Sequence, residues 1–182
     1  MKIALTVGHS LLKNGSYTSA DGKKNGGCNE YIWCKAFSKQ LAKKLEANGH
    51  KVTSIICPER KFTSYKQEKD FKLNWINNAK YDLVIELHLN AATPSAEGTE
   101  VLYKSINGKR YADQVQKQLA KVFRDRGAKQ RNDLYILNAT KPPAILLETF
   151  FCTNASDYKK AKGHLNRNKI AKLVAKGIQN AI

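Results

Sequence analysis

Histidines and glutamates standing at the ends of apolar runs are the residues of this chain whose types and spacing could do chemistry. Ile3-Ala4-Leu5-Thr6-Val7 leads into Gly8-His9-Ser10, Leu83-Val84-Ile85 into Glu86-Leu87-His88-Leu89-Asn90, and Ile145-Leu146-Leu147 into Glu148. A lone histidine after a strand is most often a structural group. Two such histidines beside a glutamate in the same kind of place change that reading. A hydrolytic zinc site needs three protein ligands and an open position for water, with His and carboxylate as usual donors. His9 and His88 supply two. Glu30 is one candidate for the third, because a carboxylate in the first turn of a helix is favoured by the helix dipole and lies within a loop's reach of His9. Glu86 competes for the role, although two residues before His88 it sits one pleat deeper, where a carboxylate orients an imidazole. Glu148 is then the general base, able to take a proton from activated water and pass it to a leaving amine.

These side chains need elements to hold them. Strand residues alternate, so Leu83, Ile85, Leu87 and Leu89 point one way while Glu86, His88 and Asn90 share the other face. In open α/β sheets ligands bind beyond the carboxyl ends of strands, so three strand ends in one sheet can converge on one pocket. Between the first two strands, the Gly-rich stretch Ser19 to Gly27 reads as a loop. Asn29 then caps a helix with Cys34, Phe37, Leu41 and Leu45 at helical spacing, stopping at Gly49. Val52 to Cys57 reads as a strand, and Ser64 with Gln67 as a capping box for a helix carrying Phe71, Trp75 and Ile76. Further on, Gly98 to Tyr103 reads as a strand, the spacing of Tyr111, Val115, Leu119, Val122 and Phe123 as a helix, and Leu134 to Leu137 as a short strand. Two helical pieces close the chain, the last with Ile170, Leu173, Val174 and Ile178 on one face. The alternation predicts a single α/β domain over residues 1–182, with a twisted, mostly parallel sheet of about five to six strands covered by helices on both faces.

Composition narrows the partners. The 182 residues are 42% hydrophobic, enough for one well-cored domain, and no linker divides them. The formal net charge of +17 implies attraction to polyanions: nucleic acid, anionic lipid or anionic wall polymers. With 26 lysines and 6 arginines, the charge is mostly of the point-like kind and not of the planar kind that reads bases, so diffuse attraction is expected and specific nucleic-acid recognition is not. The N-terminal Met1-Lys2-Ile3-Ala4-Leu5 lacks a signal-peptide pattern, which predicts synthesis in the cytoplasm, and no stretch approaches a membrane span. Cys28, Cys34, Cys57 and Cys152 have no zinc-type spacing and read as reduced, buried hydrophobes.

In order along the chain, Gly8-His9, Asn29-Glu30, His88-Leu89-Asn90 and Pro143-Ala144-Ile145-Leu146-Leu147-Glu148 with Phe150 and Thr153-Asn154 resemble the motif set of the zinc-dependent N-acetylmuramoyl-L-alanine amidases of the amidase 3 family. The likeness covers nearly the whole chain and extends to the catalytic domains of clostridial phage endolysins. It implies zinc held by His9, Glu30 and His88, with Glu148 as catalytic acid/base. The implied reaction is hydrolysis of the amide between the lactyl group of N-acetylmuramic acid and L-alanine. The implied partners are peptidoglycan and anionic wall polymers such as teichoic acids, reached by a monomeric domain after holin-mediated release or lysis. Two positions depart from the family pattern: Ser10 follows His9 where glycine is common, and Glu86 stands where a small residue is commoner, so Glu86 is either a group that orients a ligand or a secondary acid. Asn90 either positions substrate or holds its loop. Two rival readings are another zinc-dependent wall peptidase and a non-enzymatic basic protein that binds polyanions. Against the second, the sequence has no zinc finger, helix-turn-helix or aromatic-basic RNA motif.

Overall fold

In a computed structural model, which describes residues 1–182, the apolar runs become neighbouring strands of one six-stranded sheet. β1 (Lys2–Val7), β2 (Lys51–Ile55), β3 (Leu83–Asn90) and β6 (Ala144–Phe151) are parallel; β4 (Thr99–Tyr103) lies antiparallel against β6, and β5 (Asp125–Gln130) pairs parallel with β4. The order is β2-β1-β3-β6-β4-β5. From β1 the chain therefore steps outward to β2 and then returns to the opposite side as β3. That reversal is the switch point at which α/β sheets open a crevice beyond the strand ends.

α1 (Glu30–Ala47), α3 (Ile106–Leu119) and α6 (Gly163–Asn180) cover one face, and α2 (Tyr65–Asn77) and α4 (Tyr135–Asn138) the other; α5 (Ala155–Ala161) packs near the end of β6. The two faces are unequal. Leu83, Ile85, Leu87 and Leu89 of β3 join α1, α3 and α6 in a core of 32 buried residues, whereas the α2 face holds a cluster of 9 that includes Val84, Ile76, Ile136 and Leu137. The alternation along β3 is thus realised as read, with Glu86 on the thinner side.

Local signals account for most element ends. The Asn29 side chain accepts from the Ile32 amide at 3.0 Å, and Gly49 leaves α1 with φ 82°. Ser64 caps α2 through the Gln67 amide, while Gln67 reaches one residue further back than a capping box requires, to the Thr63 amide at 2.8 Å. Two expectations need correction, and one strand was not anticipated. Leu134 to Leu137 is not a strand: Tyr135–Asn138 forms one helical turn that buries Ile136 and Leu137 against the sheet. Trp75 is not part of the core, being 54% exposed, because the buried stripe of α2 is Glu68, Lys72 and Ile76. β5, Asp-Arg-Gly-Ala-Lys-Gln, has no apolar alternation to announce it; as an edge strand with little burial it is held by its ladder to β4. All four cysteines are buried and free. No helix is long and apolar enough to cross a membrane.

Candidate active site

At the carboxyl end of β1 the chain needs a residue without a side chain. Gly8 donates its amide to the Leu87 carbonyl at 2.9 Å, and a Cβ there would overlap the imidazole ring of His88. His9 follows with φ 65°, a left-handed conformation uncommon for a residue with a side chain. From the other side, the loop before α1 is pressed against the end of β6. A Cβ at Gly22 or Gly27 would collide with the Cys152 carbonyl oxygen, to which Cys28 donates its amide at 3.0 Å. This packing and the Asn29 cap deliver Glu30 to the pocket.

Glu30 uses both oxygens. Its Oε1 lies 2.9 Å from His88 Nδ1 and accepts from the Leu89 amide at 3.1 Å; its Oε2 lies 3.3 Å from His9 Nε2 and accepts from the Ala20 amide at 3.1 Å. One potential ligand atom from each of His9, Glu30 and His88 falls within 4.8 Å of the others, so these three could hold a metal ion. Two observations fit them to one. The donor set, two imidazoles and a carboxylate, is one that zinc takes in hydrolytic sites. His9 Nδ1 and Glu148 Oε2 are also buried without hydrogen-bond partners, polar capacity that the fold itself does not use.

His88 is held at both nitrogens. Its Nε2 lies 3.0 Å from Glu86 Oε1, opposite the Glu30 contact. Burial opposes a charged imidazole, but the two carboxylates outweigh it and push the His88 pKa up to about 10. The carboxyls move the other way: burial raises each, but the imidazoles draw Glu30 well below the usual range, and Lys72 with His88 brings Glu86 down to about 2. His88 therefore lies between two carboxylates that favour positive charge at this point of the pocket.

Sequence reasoning missed the residue that neutralises Glu86. Lys72 on α2 is completely buried, and its Nζ donates to Glu86 Oε2 at 3.1 Å and to the Val7 carbonyl at 3.3 Å. Tyr135 adds its hydroxyl to the same oxygen at 3.3 Å. One turn before Lys72, Glu68 accepts from Ser10 Oγ at 2.6 Å and from Thr18 Oγ1 at 3.0 Å, which gives the buried Ser10 hydroxyl a partner. Glu68 and Lys72 at i and i+4 before Ile76 was the available signal, and it reads as an ordinary surface pair.

Glu148 stands directly across the β3–β6 ladder from His88. Burial pushes its pKa up to about 7, against the pull of His88 and with the push of Glu30. Asn90 points elsewhere: its Nδ2 donates to Glu100 Oε1 at 2.9 Å, and Glu100 is itself held by Lys129 at 2.5 Å and Arg126 at 3.2 Å. The structure thus brings together His9, Glu30, Glu86, His88 and Glu148, and gives Asn90 a bond that ties β3 to β4.

The chain is similar to known proteins in both sequence and fold. A family model described as N-acetylmuramoyl-L-alanine amidase matches residues 3–180. The solved catalytic domain of CD27L endolysin targeting Clostridia difficile superposes with a TM-score of 0.92 at 47% identity, covering 99% of this chain and 97% of that one. The N-acetylmuramoyl-L-alanine amidase LytC of Bacillus subtilis is 32% identical over 147 residues, 77% of this chain and 28% of the relative. The probable autolysin PH of Staphylococcus aureus is 29% identical over 195 residues, 97% of this chain and 38% of the relative. The chain thus spans well under half the length of these two relatives.

Two outcomes follow for stability. Lys72→Met removes the cation that neutralises Glu86. We expect a loss of about 3 kcal/mol in denaturant unfolding, the low end for breaking a buried pair because His88 still faces the carboxylate. The double variant Lys72→Met with Glu86→Leu should recover part of it. The second outcome depends on pH. A carboxyl whose folded pKa is about 7 and whose unfolded value is near 4.5 favours the folded state when protonated, so that contribution is complete below 4.5 and lost as pH rises to 7. Glu148→Gln escapes the loss. In metal-free protein its melting temperature should match wild type at pH 4.5 and exceed it above pH 7 by a few degrees, at about 2–4 °C per kcal/mol; an advantage that does not grow with pH would refute the burial assigned to Glu148.

Proposed function

Because the chain belongs to the N-acetylmuramoyl-L-alanine amidase family, we propose that it hydrolyses the amide joining N-acetylmuramic acid to the L-alanine of the peptidoglycan stem peptide. The observation that carries this reading is the convergence of His9, Glu30 and His88 beside Glu148, a carboxylate with a buried oxygen that no protein group occupies. The 47% identity to an endolysin catalytic domain supports wall lysis of the phage type as its setting.

His9, Glu30 and His88 would hold zinc. When bound, zinc supplies a Lewis acid that polarises a carbonyl and makes water more acidic. Glu148 does the proton work. With a pKa near neutrality it is ionised often enough to take a proton from the attacking water and, once protonated, acidic enough to hand it to the departing alanine nitrogen. Glu86 is a positioning residue: by binding His88 Nε2 it leaves Nδ1 directed at Glu30, and Lys72 and Tyr135 keep Glu86 itself in place. Asn90 holds the end of β3 to Glu100 on β4.

The test compares wild type with Glu148→Gln on purified clostridial peptidoglycan, identifying new amino termini and measuring bound zinc. Wild type should free L-alanine amines. The variant should bind the same zinc and turn over about 10²–10⁴-fold more slowly, the usual scale of acid/base catalysis. New termini at other residues would assign the chain to the stem-peptide peptidases instead. Gly8→Ala makes an independent check on the ligands: its methyl group occupies the space of a His88 ring that both nitrogens pin, so zinc affinity, read by chelator competition, should fall about 10–100-fold. Unchanged affinity would remove His88 from the ligand set.

A further inference from the structure

The excess of positive charge is not spread evenly. Of the 15 acidic residues, Glu59, Asp70, Glu86, Asp113 and Asp133 each pair with a nearby lysine or arginine, and Glu100 pairs with two. None of these pairs involves the seam between α1 and α6. There Lys39, Lys43 and Lys44 of α1 face Arg167, Lys172 and Lys176 of α6, and none of the six has an acidic partner within 4 Å. α6 contains no acidic residue, and the only exposed one on α1 is Glu46, outside the seam. Like charges this close repel and destabilise the helices that carry them. Lysines that served only to solvate a helix pair would be interspersed with acids.

The seam is also a groove. Two hollows of about 600 and 400 Å³ meet at Lys44, and no carboxylate and no Phe, Tyr or Trp lines either. Two buried polar atoms at the first of them, Gln40 Oε1 and Arg167 Nε, have no hydrogen-bond partner; Gln40 spends its amide nitrogen on His164 at 2.9 Å. A row of cations without acidic partners along a groove is what a polyanion neutralises. From Arg167 to Lys176 the row runs ~14 Å at the helical rise, too long for a single small anion. At its upper end Arg167 also borders a hollow lined by Asn29, the residue next to Glu30.

We infer that the α1–α6 groove binds a linear polyol-phosphate chain of the cell wall, laid along the helices. The inference rests on the wall-hydrolase reading and deepens it, giving the surface charge a location and a ligand. Five lysines and one arginine suit phosphates taken as point charges. The absence of aromatic rings from the two hollows disfavours a nucleic acid, whose bases need stacking platforms.

The test uses the whole chain and soluble poly(glycerol phosphate), with binding measured across a salt series. A groove variant carries Lys39→Ser, Lys43→Ser, Lys172→Ser and Lys176→Ser; a control of equal charge carries Lys13→Ser, Lys61→Ser, Lys80→Ser and Lys104→Ser on other faces. Both are compared with wild type in melting temperature and in hydrolysis of a soluble muropeptide that lacks the polymer. We expect the groove variant to bind at least tenfold more weakly at low salt, with a salt slope shallower by about 3 (about 0.7 for each phosphate no longer neutralised), while the control weakens less than about twofold. Muropeptide turnover should be unchanged in both. Equal weakening in the two variants, or none in the groove variant, would overturn the site, and single-stranded DNA of equal charge binding as tightly through the same lysines would overturn the choice of polymer. Failure of wild type to cleave the muropeptide would be a separate result, striking the amidase reading and not the groove.

Discussion

The His88 imidazole, held between Glu30 at one nitrogen and Glu86 at the other, is the contact on which the rest of the site depends. Each carboxylate comes from a different part of the chain and is held by further bonds. Glu30 arrives on the first turn of α1, positioned by the Asn29 cap and by a loop packed against Cys152; Glu86 lies in β3 and is backed by Lys72 from α2. The ring can stand there only because residue 8 is glycine. Four elements are thus locked to one side chain, and a shift in any of them moves the potential ligand atoms relative to each other. A metal site needs that kind of support, since ligand orientation is set by the groups behind the ligands.

The same contact explains why the α2 face of the sheet has so little apolar core. A carboxylate at Glu86 could not be buried alone. It requires Lys72, and Lys72 requires the Val7 carbonyl and the aromatic face of Tyr135, 5.3 Å from its Nζ. Beside them Glu68 holds Ser10 and Thr18. This polar column occupies volume that apolar side chains fill on the opposite face, where α1, α3 and α6 supply most of the burial. Stability and site construction are divided between the two faces of one sheet. A buried ion pair adds little net stability, and its worth here lies in fixing geometry.

How far this was legible in the sequence follows from what each signal depends on. His9, His88 and Glu148 could be found because each ends a run of apolar residues, and runs of that kind become buried strands wherever they pack; Glu30 could be found because a helix start is written locally, in Asn29 and the apolar period after it. Lys72 could not. In a helix as polar as Tyr65–Asn77 a lysine is expected outside and a tryptophan inside, and the reverse occurs because Glu86 lies across from position 72, a fact of tertiary packing. β5 was hidden for a similar reason. Its residues carry no alternation, and only the open edge of β4 makes Asp125–Gln130 a strand. Leu134 to Leu137 misled because four residues, two of them buried, suit a strand and a single helical turn equally.

Glu148 shows how the division of faces reaches the chemistry. Across the ladder from His88, it sits in the same electrostatic environment as Glu30 and Glu86, yet they are held ionised and it is not. The difference is partners. Glu30 faces two imidazoles and Glu86 a lysine and an imidazole, while Glu148 has one oxygen with no partner and feels the negative charge of its neighbours. Burial raises the proton affinity of Glu148 most, His88 opposes it, and the charge of the two carboxylates that hold His88 adds to it. A group poised near neutrality is what proton transfer at physiological pH requires. Burial sets the proton affinity of the proposed acid/base, and the network around His88 adjusts it in both directions.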